Sequence, residues 1–200
     1  YIHVLSPMRS WPLVAESLNK ELQQVLNPPD RDKKEKELKS GTIFREHDKV
    51  MQIRNNYKLE WSIYSEKGRF KIEEGMGIFN GDMGVISEID DYNEEVVVIF
   101  DDDKEVRYPY DILDELELSY AITIHKSQGS EYPAVIIPLF TGPRILMNRN
   151  LLYTAVTRAK RCVVIVGNGH MVESMILNND EQKRYSSLDV RLKELCEISC

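Results

Sequence analysis

With 200 residues, 42% of them apolar, the chain can build one mid-sized domain or two small ones around a real core, which excludes wholesale disorder. No run approaches the ~20 uninterrupted apolar residues of a membrane helix. Cys162, Cys196 and Cys200 form no pattern that would suit a disulfide framework or a zinc site, and they fit a reducing, cytoplasmic home. The formal charge of −7 argues against a nucleic-acid binder only as an average, because residues 1–44 carry +1, residues 45–117 carry −11 and residues 118–200 carry +3. So sharp a break marks domain boundaries and leaves a phosphate-binding surface open to the flanks.

The chain opens on Tyr1 inside an apolar run, which raises the expectation of a cut within a longer protein. Residues up to Ser6 read as a short buried strand ending at Pro7. Trp11–Leu26 has helical spacing at Val14, Leu18, Leu22 and Val25, and stops before Asn27-Pro28-Pro29. Asp30–Ser40 is almost entirely charged and reads as an exposed connector.

From Asp48 the period changes to two. Strands are expected at Val50–Ile53, Val85–Ile89, Val96–Phe100 and Val106–Tyr108, with turns at Asn55-Asn56, Asn80-Gly81-Asp82, Asp90–Glu95 and Asp101–Lys104. Short strands with regular turns suggest a small antiparallel barrel. The run Asp101-Asp102-Asp103 sits where a hairpin needs a turn, and consecutive carboxylates do not converge on one metal ion.

The last part alternates strand and helix. Strands are expected at Leu118–Ile124, Ala134–Leu139 and Cys162–Val166, helices at Asn150–Lys160 and Asp189–Cys196. Apolar strands separated by helices imply a mostly parallel α/β sheet, with residues 1–44 as its first strand and helix and the barrel as an insertion.

Two stretches carry chemistry. In Thr123-Ile124-His125-Lys126-Ser127-Gln128-Gly129-Ser130-Glu131 a strand gives way to hydroxyls, an imidazole, an ammonium and a glycine, the groups a phosphate needs, although a polar turn after a strand is also ordinary. At ~100° per residue, Leu151, Leu152, Ala155, Val156 and Ala159 form an apolar arc, with Arg158 at its edge. There a guanidinium either snorkels or reaches into a cleft; the residue pattern alone favours snorkelling.

Ala121–Tyr132, in the form Ala-Ile-Thr-Ile-His-Lys-Ser-Gln-Gly-Ser-Glu-Tyr, closely resembles motif V of RecD-like superfamily 1 helicases. Leu152–Lys160, Leu-Tyr-Thr-Ala-Val-Thr-Arg-Ala-Lys, resembles their motif VI, and Val4–Arg9 more loosely their motif IV. Asn80–Ile86 with the acidic strands after it is similar to the SH3-like barrel inserted in that branch. The resemblance implies a RecA-like second motor domain (residues 1–44 and 118–200), a parallel sheet with flanking helices, interrupted by an SH3-like antiparallel barrel (residues 45–117). It also implies an ATP-dependent DNA helicase of repair and recombination, translocating 5′ to 3′. Thr123, His125, Lys126 and Ser127 would touch the backbone of single-stranded or duplex DNA. Gly129 and Glu131 would border the nucleotide, and Arg158 would be the arginine finger. ATP and Mg²⁺ would be held mainly by a first motor domain, because no Gly-x-x-x-x-Gly-Lys-Ser/Thr occurs in the chain. The chain by itself should therefore be inactive, and the barrel could also receive a protein partner. Two rivals stay open: a non-catalytic nucleic-acid- or protein-binding module on the same scaffold, and part of a conjugative relaxase–helicase.

Overall fold

The computed structural model describes residues 2–7, 15–65 and 70–179, so the expected helix Asp189–Cys196 and the first turn of the expected helix from Trp11 lie outside the described residues. In chain order, β1 (Ile2–Ser6) and helix α1 (Ala15–Leu26) lead into a short pair, β2 (Glu35–Glu37) and β3 (Ile43–Arg45). A run of antiparallel strands follows: β4 (Lys49–Gln52), β5 (Asn56–Tyr64), β6 (Lys71–Ile78), β7 (Met83–Asp90), β8 (Glu95–Phe100) and β9 (Glu105–Pro109). A 3-10 turn over Tyr110–Glu115 precedes β10 (Leu116–Leu118). The chain then gives β11 (Ala121–Thr123), β12 (Tyr132–Leu139), α2 (Arg149–Val156), β13 (Ala159–Gly167) and α3 (Gly169–Leu177).

Two main sheets result. The first is wholly parallel, in the order β11-β1-β12-β13, and β1 sits between two strands that come more than a hundred residues later. It is the expected discontinuous α/β layer. One core lies under it, where Leu5, Ile122, Val135, Ile137 and Leu139 meet Leu151, Leu152 and Ala155 of α2 and Met175 of α3. Both helices are started by asparagines: Asn148 Oδ1 accepts from Leu151 N at 2.9 Å, and Asn168 Oδ1 from His170 N at 3.0 Å.

The second sheet is antiparallel, in the order β10-β4-β7-β8-β9-β5-β6. Its end strands, β10 and β6, are not hydrogen-bonded to each other, so ladder closure into a barrel is not seen. Leu116 of β10 and Ile78 of β6 nonetheless enter one core with Ile86, Val96, Val98, Val106 and Tyr108, so the sheet curls around a shared interior. The expected turns form as read. Gly81 supplies a positive φ of 103°, Asp82 accepts from Phe79 N at 2.8 Å, and Asp101-Asp102-Asp103 turns β8 into β9.

Five expectations need correction. The charged connector is partly ordered: Lys36 pairs with Phe44 in the β2–β3 ladder. No strand is expected between Asn56 and Asn80, yet the longest hairpin, β5–β6, forms there. The strand expected over Leu118–Ile124 is two strands, β10 in the antiparallel sheet and β11 in the parallel one. The strand expected to be buried at Cys162–Val166 has Val163–Val166 36–44% exposed and, among the described residues, lies at the sheet edge with β12 as its one ladder partner. Helix α1 does not bury the stripe that ends in Val25, which is 76% exposed; it buries the amides Asn19 and Gln23.

Those amides explain how the two sheets are joined. Asn19 Nδ2 donates to the carbonyls of Leu118 (2.8 Å) and Ala121 (2.9 Å), and Asn19 Oδ1 accepts from Ala121 N (2.7 Å). One turn on, Gln23 Nε2 donates to the carbonyl of Ile43 and to Asp48 Oδ2; just past the helix, Asn27 Nδ2 donates to the carbonyl of Glu46 and to Asp48 Oδ1. Buried Asp48 also accepts from Arg45 N and Tyr120 Oη. Burial pushes its carboxyl above the ordinary aspartate range, against the pull of these donors. Side chains cross the boundary as well: Met51 of β4 enters the parallel-sheet core, and Tyr120 enters the core of the curled sheet. None of the described helices is long and apolar enough to cross a membrane.

Candidate nucleic-acid and nucleotide sites

The motif-bearing stretch after β11 spans the parallel sheet. Thr123 ends β11 level with Ser6, and through the β1–β12 register it stands level with Pro138. Ala159, directly after Arg158, pairs with Tyr132, six residues earlier on β12. At the usual strand rise the two positions are roughly 20 Å apart. Residues 124–131 therefore run from one end of the sheet to the other, and the seven expected site residues fall into two groups.

At the carboxyl end of β11, Thr123 is buried and its Oγ1 accepts from Lys126 N at 3.3 Å. His125 is exposed. Lys126 Nζ does not point into open solvent: it lies 2.7 Å from Glu117 Oε2 on β10, with side-chain exposures of 22% and 45%. Thr123, Lys126 and Glu117 line one groove of about 1090 Å³, walled by α1, the β2–β3 turn and the curled sheet. Ser127 is not placed to meet a backbone phosphate. It is fully buried, and its hydroxyl donates to the carbonyl of Ile124 at 2.7 Å, so it shapes the turn. Gly129 closes the turn with φ 91°, and its position has open space around it.

At the opposite end, Arg158, Ser130 and Glu131 come together. The helical arc placed Arg158 on α2, but the helix stops at Val156 and Arg158 lies in the turn before β13. Thr157 accounts for the stop: its hydroxyl donates back to the carbonyls of Tyr153 (2.9 Å) and Thr154 (3.1 Å), and extended backbone begins at Ala159. The Arg158 backbone carbonyl accepts from Tyr132 N at 2.8 Å, which locks the turn to β12. Its guanidinium is held by neutral acceptors: Nε donates to the carbonyl of Thr154 (3.2 Å), Nη1 to that of Ser130 (3.1 Å) and Nη2 to Thr157 Oγ1 (3.3 Å). No carboxylate pairs with it among the described residues. Glu131 is exposed and lies 3.4 Å from Lys160 Nζ. A half-buried cation with a free charge, beside a turn that lends its carbonyls, can receive an anion without breaking an ion pair.

Sequence reasoning missed Glu117. The alternation Leu116-Glu117-Leu118, buried on either side of a half-buried carboxylate, was the available signal, but the expected strand begins only at Leu118 and leaves Glu117 outside it.

Comparison with known proteins follows the same division. Residues 18–100 match the family of the ATP-dependent RecD-like DNA helicase SH3 domain, and residues 118–166 match the UvrD-like helicase C-terminal domain. The chain is 33% identical over 161 residues to the ATP-dependent RecD2 DNA helicase of Deinococcus radiodurans, covering 80% of this chain and 19% of that protein. It is 36% identical over 123 residues to the RecBCD enzyme subunit RecD of Mycobacterium tuberculosis, covering 60% and 20%. The chain thus spans about a fifth of the length of these relatives. Among solved structures, a Bacteroides Pif1 helicase crystallised with ADP-AlF3 and single-stranded DNA matches with TM-score 0.53 at 17% identity, over 98% of this chain and 46% of that one, which shows a common fold. The first family begins inside α1, in keeping with the amide stripe that ties this helix to the curled sheet. Two domain families in this order, with motif V crossing the parallel sheet to meet motif VI at its far end, place the chain: it belongs to the RecD-like superfamily 1 helicases and carries their SH3 domain and C-terminal helicase domain.

Proposed function

We propose that the chain is the second motor domain of an ATP-dependent DNA helicase, built from residues 1–44 and 118–200, with its SH3-like domain inserted at residues 45–117. The observation that carries this reading is Arg158, a charged guanidinium held by carbonyls in the turn between α2 and β13, beside Ser130 and Glu131. This end of the sheet would form one wall of the nucleotide cleft, with Arg158 reaching the γ-phosphate and Glu131 turning from Lys160 to the ribose. The other end would grip the DNA backbone through Thr123, His125 and Lys126, with Ser127 holding the turn. Some 20 Å of sheet and one eight-residue turn link the two ends, so closing the cleft on ATP would shift the grip on single-stranded DNA.

The residues present suit only one face of a nucleotide. A finger and a ribose acceptor are in place, but among the described residues no cluster could hold a metal ion, and the sequence has no phosphate-cradling glycine loop. The phosphates and Mg²⁺ belong to a first motor domain, supplied by the part of a longer protein that this chain does not span. Magnesium would there neutralise charge on the transferring phosphoryl group.

The test is DNA-stimulated ATP hydrolysis and strand separation by the full-length protein, on substrates with either a 5′ or a 3′ single-stranded tail. Unwinding from the 5′ tail is expected. Binding of DNA without any turnover would overturn the motor reading in favour of a non-catalytic module.

A further inference from the structure

The groove beside motif V is a poor trap for phosphate as it stands. Its lining carries four lysines, Lys20, Lys36, Lys39 and Lys126, against five carboxylates, among them Glu117. Two of those lysines are already engaged: Lys36 Nζ sits 3.5 Å from the centroid of the Tyr110 ring, and Lys126 Nζ is 2.7 Å from Glu117. A strand of DNA cannot be drawn to Lys126 by a general positive field, because there is none. It has to displace a particular carboxylate.

Glu117 is also held where it can compete repeatedly. It lies on β10 opposite Met51 of β4, three residues before β11, and Ser119 N donates to the carbonyl of Lys49 between them. Main chain therefore fixes the backbone that carries the carboxylate, while the Lys126 backbone is set by its own N–H on Thr123 Oγ1. Lys126 has a four-carbon stem and can swing from Glu117 to a phosphate without backbone movement.

We propose that Glu117 is an internal competitor of the DNA backbone: it holds Lys126 when the strand is absent, yields it to a phosphate on binding, and reclaims it on release. The proposal rests on the assignment of the Thr123–Lys126 end to DNA. A partly exposed ion pair contributes little net stability, so its exchange for a phosphate contact is nearly balanced. A near-balanced exchange suits a motor that must grip and let go within each cycle. It also assigns a positioning role to the last strand of the SH3-like domain, on a surface otherwise too acidic to hold DNA.

The test is equilibrium binding of a labelled oligothymidylate to the full-length protein without nucleotide, across a salt series. Glu117→Gln keeps the size and polarity of the side chain and should tighten binding on the order of 3–10-fold. The dependence of log K on log salt should change by less than about 0.7, the share of one phosphate contact on a single strand, because Lys126 meets a phosphate in both proteins. Lys126→Ala should weaken binding and erase the effect of Glu117→Gln in the double variant. Glu16→Gln, which removes another carboxylate from the same groove, should change affinity less than about twofold at physiological salt. If Lys126→Ala weakens binding while Glu117→Gln leaves it unchanged, or if Glu16→Gln tightens it equally, the competitor is refuted and the DNA assignment survives. If Lys126→Ala has no effect, the DNA assignment of this end fails, and the competitor with it. Coincident melting curves identify variants that are folded and so decide the comparison; Glu117→Asp, which withdraws the charge by one methylene, should fall between wild type and Glu117→Gln and serves if the glutamine variant is unfolded.

Discussion

The two ends of the parallel sheet hold their cations in opposite ways. Arg158 is braced by two carbonyls and a hydroxyl, which orient the guanidinium and leave its charge uncompensated. Lys126 is braced by a carboxylate, which orients the ammonium and cancels it. The first arrangement is preorganised for an anion and costs nothing to use; the second must give up a partner each time it binds. A finger that meets one phosphoryl group per cycle needs the first. A contact that must release a moving strand is served by the second.

Breaking the Arg158 end should have the largest effect. In the full-length protein, Arg158→Ala should lower kcat for ATP by on the order of 10³-fold or more, while single-stranded DNA binding is largely kept, because the proposed DNA contacts lie at the far end of the sheet. Arg158→Lys should rescue little. A single ammonium cannot meet the carbonyls of Thr154 and Ser130 and still present a planar fork to two phosphate oxygens. Near-normal turnover in Arg158→Lys, with a lower melting temperature, would mean that this side chain only braces the turn. Steady-state ATPase beside melting curves separates the two.

A smaller effect probes what keeps both ends in register with the SH3-like domain. The Asp48 carboxylate takes its hydrogen bonds only as an acceptor, from Gln23, Asn27, Arg45 N and Tyr120. Asp48→Asn would turn an N–H against one pair of these donors and should cost about 1–3 kcal/mol in unfolding by denaturant. The pH dependence has a definite sign. Because burial raises the carboxyl above its ordinary value of 3.8, the folded protein binds this proton more tightly than the unfolded chain does. The cost of the ionised carboxylate is fully present above the folded pKa and is relieved as pH falls through it toward 3.8. The stability gap between wild type and Asp48→Asn should therefore widen on acidification in that window. A gap that narrows would mean that the donors outweigh burial.

What was legible in the sequence follows the same physics. Strands with one face in a core, such as β7, β8 and β9, alternate and were found; β6 is exposed along most of its length and offers no alternation to read, while β13 was found as an apolar run but taken as buried, and it lies at an edge among the described residues. The buried face of α1 was misread because amides, not aliphatics, fill it, and an amide stripe announces itself only once its carbonyl and carboxylate partners are in place. The site residues could be named from their motifs. Their division between two ends of a sheet could not, since spacing along the chain is silent about a turn that crosses from one edge to the other. Arg158 shows the limit most clearly: the ~100° period runs on through it, although the backbone has already left the helix.

The smallest prediction asks whether the turn that carries Arg158 is set from its own helix or from the sheet. Asn148 caps α2, accepting from Leu151 N, and α2 ends two residues before Arg158. If the helix sets the turn, fraying its first residues should be felt at its last, because eight residues make little more than two turns. If β12 sets it, the hydrogen bond from Tyr132 N to the Arg158 carbonyl should hold the guanidinium in place regardless. Asn148→Ala should cost about 1 kcal/mol of stability in either case, the ordinary worth of such a cap. The structure favours the sheet, since Arg158 is fastened at its carbonyl to β12 and at Nη1 to the Ser130 carbonyl, both outside α2. The expected result is a lowered denaturation midpoint with kcat for ATP changed less than about twofold at temperatures where the variant is folded. A fall in kcat tenfold or greater under those conditions would assign the orientation of Arg158 to the helix.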